Sequence, residues 1–92
     1  MEIRGTLPAD ITGQIELAWK HILSVLEQAN MDLTDVVKVT QYLTRAEGYC
    51  RLREGENSFL GDAEPASMLL LVPQFVRREF LVEVEVIAAT EP

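Results

Sequence analysis

Between residues 11 and 29 apolar side chains return every three or four positions: Ile11, Ile15, Ala18, Trp19, Ile22, Val25, Leu26 and Ala29, with Glu16, Lys20, Ser24 and Glu27 between them. That spacing predicts a helix whose single apolar stripe can lie on a sheet. Asp10 or Thr12 can cap its start. Asn30 marks its end, because asparagine tolerates left-handed backbone, and Met31 supplies the apolar contact that commonly follows such a stop.

After a turn at MDLTD the period changes to two. VVKVTQYL at 36–43 is rich in β-branched residues, with Val37, Val39 and Leu43 on one face and Lys38, Thr40 and Tyr42 on the other. It predicts a half-buried strand. A second helix is expected over about 46–60, with a thin stripe of Tyr49, Leu52, Phe59 and Leu60. Gly48 and Gly55 each weaken it by about 1 kcal/mol relative to alanine, so tertiary packing must hold it. ASMLLLV at 66–72 alternates Met68, Leu70 and Val72 with Leu69 and Leu71, and is apolar on both faces. FLVEVEVIAAT at 80–90 puts Phe80, Val82, Val84, Val86 and Ala88 on one side, and Leu81, Glu83, Glu85, Ile87 and Ala89 on the other. EIRGTL near the start is read as one more strand.

Strand, helix, strand, helix, strand, strand is the order of an α+β sandwich: a small, mostly antiparallel sheet with two helices on one face, the last two strands pairing through PQFVRRE. Two helices cover only one face. A strand apolar on both then leaves several Leu and Met side chains wet, at about 25 cal/mol per Å², and that predicts a homo-oligomer with clefts between subunits.

Composition narrows the function classes. Ninety-two residues, 48% hydrophobic and 25% charged, suit one domain over 1–92 with no linker. Eight Lys and Arg against 15 Asp and Glu give a net charge of −7, which repels phosphate backbones and disfavours nucleic-acid partners. A single Cys50 cannot form an internal disulfide, and the N-terminus lacks the pattern of a secretory signal, so a reduced, cytoplasmic protein is expected. No apolar run reaches the roughly 20 residues of a membrane-spanning helix. His21 stands alone on the polar side of the first helix, so no metal site is expected, and Cys50 lacks a neighbouring His or Cys to activate it.

Three segments together carry a resemblance: GQIELAWKHILSVLEQANMDLTDVVKVTQYLT, then EPAS, then FLVEVEVIA. They are similar to the Rid (YjgF, L-PSP endoribonuclease-like) family, whose pattern has a Gln-bearing helix, AG-x-L-x-DVVK-x-T-x-YL-T, P-A-R before the fifth strand, and VEIEAIA at the end. The likeness covers residues 3–89 in one register. It implies a chorismate-mutase-like α+β fold, a trimer with intersubunit clefts, no cofactor, and in the best-known branch a deaminase that hydrolyses 2-imino acids to 2-oxo acids and ammonia. An imino acid needs a bidentate arginine for its carboxylate and an oriented water beside the C=N carbon.

The resemblance implies that Glu83, the first Glu of the final motif, is the catalytic acid, with Glu85 as its companion. At the position of the arginine in P-A-R this chain has Ser67. A hydroxyl in that place costs a charge-assisted pair worth about 2–5 kcal/mol in a desolvated cleft, which puts imine deamination in doubt. Where the family has a Ser-Gly-Gln stretch the chain reads Arg4, Gly5, Thr6, and a helix-two position that is often Asn reads Arg53. Arg4 or Arg53 could supply the missing cation. The family often sets an aromatic against the ligand near Tyr49, and the usual N-terminal hairpin has no counterpart in the chain. The expected site is therefore Glu83 with Ser67, Arg53, Gly5, Thr6 and Tyr49 around a small-molecule ligand such as a 2-oxo or 2-imino acid.

Each of these residues has a plainer reading as well. Glu83 and Glu85 fit outward positions of an antiparallel strand, Ser67 a strand-start hydroxyl, Arg53 and Arg51 the wet side of a helix, and Tyr49 the core. Three functions follow: a cleft that binds a small metabolite with little deamination, an active imine deaminase, or an assembly module that only oligomerises. Ser67 favours the first over the second, and the retained Glu83 weighs against the third.

Overall fold

A computed structural model describes residues 8–90 of the chain. The order is α1 (Ile11–Gln28), β1 (Val36–Leu43), α2 (Tyr49–Leu60), β2 (Ala66–Leu71) and β3 (Val82–Ala88), with short 3-10 turns at Leu33–Asp35 and Ala46–Gly48. The first strand expected from the sequence, EIRGTL, lies outside the described residues except for its neighbour Pro8. No helix among the described residues is long and apolar enough to cross a membrane.

α1 forms where the apolar period places it. Asp10 occupies the N-cap position, but its side chain makes no capping hydrogen bond, and the Thr12 hydroxyl does not cap either but accepts a hydrogen bond from Arg51 Nη1 at 2.7 Å, clipping α1 to α2. Asn30 takes φ 59°, and the Met31 N–H returns to the Leu26 carbonyl at 2.8 Å, so the helix ends as its residues dictate. Asp32 caps the following turn, accepting from the Thr34 N–H and hydroxyl while Asp35 reaches back to the Asp32 N–H. The Thr34 bonds hold the Asp32 carboxyl below its usual pKa.

The sheet order is β2-β1-β3, with β1 parallel to β2 and antiparallel to β3. This corrects the expected pairing: β2 and β3 flank β1 and do not pair with each other, and one of the two ladders is parallel. The physical reason is α2. A helical crossover between β1 and β2 returns the chain to the end from which it set out, and only a parallel strand can follow.

Both helices lie on the sheet face that carries Val39 and Leu43, where Ile15, Trp19, Ile22 and Leu26 of α1 meet Leu52 and Leu60 of α2. The expected face of Val37 is also corrected. A register shift between Val36 and Lys38 turns Val36 inward to 5% exposure and leaves Val37 at 51%. The inter-helix approach explains the weak sequence of α2. A Cβ on Gly55 would run into Ile15 Cγ2, so the glycine that costs helix propensity is what lets the two helices close.

Gln14, 4% exposed, ties the start of α1 to the approach of β3. Its Nε2 donates to the carbonyls of Pro8 and Glu79, each at 2.8 Å, and its Oε1 accepts the Leu81 N–H at 2.7 Å. Replacing it with leucine keeps the volume but strands three backbone groups. Gln14→Leu is expected to lower the unfolding free energy by about 2–3 kcal/mol. Urea denaturation measures it, and a loss below a few tenths would show that water replaces the amide.

Candidate functional site

The pleat of β3 answers which way its two glutamates point. Val82, Val84 and Val86 turn toward the helices, while Glu83 and Glu85 turn to the other face and are exposed. Glu83 stands across from Tyr42, Glu85 across from Thr40, and β2 places Met68 and Leu70 beside those same two residues. Two carboxylates thus share a sheet face with Lys38, Thr40 and Tyr42 and with three exposed apolar side chains, Met68 at 48%, Leu70 at 42% and Ile87 at 52%. Glu85 makes no ion pair among the described residues; the pair found there is Arg77 with Glu79. Glu83 also borders a hollow of about 470 Å³ beside the outer edge of β3, walled by Ala18, Phe75, Phe80 and Val84. No described strand pairs with that edge.

Ser67 goes the other way. It pairs in register with Val39, so its side chain lies on the helix side, where its Oγ donates to Glu56 Oε2 at 2.9 Å. Glu56 is 8% exposed and also accepts from Gln41 Nε2 at 2.9 Å. Around this trio is a pocket of about 310 Å³ lined by Gln41, Tyr49, Leu52, Arg53, Ser67 and Leu69 together with Glu56. Three expected ligand residues, Ser67, Arg53 and Tyr49, therefore meet in one place. Glu83 is not among them, and Gly5 and Thr6 lie outside the described residues.

Tyr49, expected in the core by its place in the stripe, is 41% exposed. It sits in the first turn of α2, beyond the edge of the apolar cluster, and its hydroxyl accepts from Arg53 Nη1 at 2.8 Å while the guanidinium carbon lies 5.8 Å from its ring centre. That hydroxyl, and more weakly the charge of Glu56, raises the Arg53 pKa further above its ordinary value. His21, expected at the surface, is half-buried with no partner for Nδ1, and burial lowers its pKa. Cys50 is free and exposed.

Sequence reading missed Gln41 and Glu56. The signal was present: Gln41 falls between Val39 and Leu43 on the inward parity of β1, and Glu56 falls four residues from both Leu52 and Leu60 on the inward side of α2. Two polar residues on facing apolar stripes ask for each other, because a buried polar group without a partner is costly.

A mixed sheet under two helices, with no described element on its other face and a pocket between β2 and α2, defines the class as the α+β sandwich of YjgF-type proteins. The chain belongs to the endoribonuclease L-PSP family, whose model matches residues 2–90. It is 33% identical over 82 residues to a RutC family protein of Pyrococcus abyssi, covering 89% of this chain and 64% of that one, so it spans slightly less than two thirds of that relative. Among solved structures it resembles a YjgF/YER057c/UK114 family member from Mycobacterium tuberculosis, with 28% identity and a TM-score of 0.86 over 90% of this chain and 70% of that chain. It likewise resembles RidA from an Antarctic Psychrobacter, with 27% identity and a TM-score of 0.86 over 92% of this chain and 68% of that chain.

Proposed function

We propose that this is a small-metabolite-binding member of its family, assembled as a homo-oligomer, with little or no imine deaminase activity. The observation that carries this reading is the Ser67 hydroxyl donating to a buried Glu56 at 2.9 Å. Where the resemblance places an arginine for the substrate carboxylate, the pocket offers a hydroxyl already engaged and a carboxylate behind it. Arg53 is turned to Tyr49. An imino acid would meet like charge at the point where its own carboxylate needs a cation.

Within one chain the sheet separates Glu83 from Ser67. An intersubunit cleft reunites the two kinds of residue, with Glu83 of one copy approaching the β2 and α2 side of another. A trimer is the assembly that the family resemblance suggests for this, and the exposed Met68, Leu70 and Ile87 supply an apolar surface for it.

The test is a 2-imino acid generated in situ and trapped as its semicarbazone. The purified protein is expected to leave the trapping rate within about twofold of the uncatalysed rate, since a missing carboxylate anchor removes orders of magnitude from binding and positioning. A large suppression of semicarbazone formation, with faster loss of the imine, that vanishes in Glu83→Ala would instead establish a working deaminase.

A further inference from the structure

We propose that the pocket between β2 and α2 takes a small molecule bearing a protonated amino group, held by the carboxylate of Glu56. This rests on the small-molecule reading above and reverses the charge of the ligand group that enters this pocket.

The arrangement of donors points this way. Gln41 Nε2 and Ser67 Oγ both donate to the same oxygen of Glu56, Oε2, and no described donor reaches Oε1. Glu56 has no ion pair among the described residues, although it is 8% exposed. Gln41 Oε1, closed to solvent, is a second acceptor without a donor beside this carboxylate. Unlike Gln41 Oε1, Glu56 Oε1 is not closed off from solvent, so an incoming cation can reach it and complete a carboxylate whose other oxygen is already engaged. Arg53 is the nearest candidate on α2, but its guanidinium is bonded to the Tyr49 hydroxyl and lies over that ring. The complement is an external N–H donor that carries positive charge.

The rest of the pocket fits the carbon part of such a ligand. Leu52, Leu69 and the Tyr49 ring wall it, and its volume of about 310 Å³ accepts a few carbon atoms beside an ammonium group. An ammonium brings three donors to one free carboxylate oxygen and the pocket mouth. A carboxylate in the same place would face Glu56 directly and be repelled.

Butylammonium chloride, butanol and sodium 2-oxobutanoate, titrated at matched ionic strength and followed by calorimetry and thermal melting, test the assignment. Butylammonium is expected to bind saturably and raise the melting temperature, while the other two bind far more weakly. Glu56→Gln keeps both hydrogen bonds to Gln41 and Ser67 but removes the charge, and should weaken butylammonium by about 10- to 100-fold, the equivalent of one charge-assisted bond. Ser67→Arg, which introduces a cation beside Glu56, should abolish amine binding and admit 2-oxobutanoate, so the inference stays testable if Glu56→Gln folds poorly. Unchanged amine affinity in either variant overturns the assignment. Binding of 2-oxobutanoate without butylammonium by the natural chain overturns it too, but leaves the small-metabolite reading standing, whereas binding of none of the three counts against both.

Discussion

Trp19→Ala is expected to lower the unfolding free energy by about 3–5 kcal/mol. The indole is 0% exposed and stacks on Phe59 with ring centres 6.0 Å apart and planes 11° from parallel. It stands where α1, α2 and the sheet converge, with Ile15, Ile22 and Leu26 in the same cluster, so alanine opens a cavity that no single neighbour can fill. One effect runs the other way. Trp19 Nε1 has no partner among the described residues, and removing a buried orphan donor recovers part of the loss. Trp19→Phe, which removes that donor but keeps most of the ring area, should therefore cost less than half as much. Since small domains have only about 5–15 kcal/mol in total, the alanine variant should be largely unfolded at moderate urea. A Trp19→Ala midpoint close to that of the natural chain would show that the core relaxes around the gap.

The second large effect concerns the open sheet face. Met68 and Leu70 of β2 and Ile87 of β3 are each about half exposed on it, and Leu71 at the strand end is 60% exposed. At roughly 25 cal/mol per Å², covering such side chains in an assembly contributes several kcal/mol per subunit. Replacing Met68 and Leu70 with lysine and arginine puts two cations into that contact and should convert the proposed oligomer to single chains at micromolar concentration. The core side of the sheet is untouched, because both residues point away from the helices. Sedimentation equilibrium reads the result directly. A natural chain that already sediments as one copy would remove the intersubunit cleft and with it the meeting of Glu83 and Ser67 across subunits.

Much of this architecture is legible in the residues themselves. The three-to-four spacing from Ile11 to Leu26, apart from Val25 at 50% exposure, the stop at Asn30, the inward Val82, Val84 and Val86 with the outward Glu83 and Glu85, and the burial of Trp19 are read correctly from one short window each. These are local properties. Backbone geometry fixes the period of a helix or strand, and the apolar residues at that period have no alternative face to choose.

The candidate site was legible only in pieces. Ser67, Arg53 and Tyr49 were expected to share a ligand with Glu83, yet within one chain the sheet divides them, since a strand residue faces one side or the other by its register with its neighbours. Gln41 and Glu56 each looked like an isolated polar residue on an apolar stripe. What made them a pair is a crossover that brings residues 15 apart into contact over β1.

The sequence by itself determined the elements and most of their buried faces, because these depend on interactions within a few residues of chain, and the order of those elements pointed to the kind of fold. Only the tertiary structure decided that β1 lies between β2 and β3, that a bulge sends Val37 outward, that Gly55 admits α1, and that Ser67 serves a buried carboxylate. Those outcomes follow from which elements pack together. Packing is a property of surfaces assembled from distant segments, so no single stretch of the chain contains it.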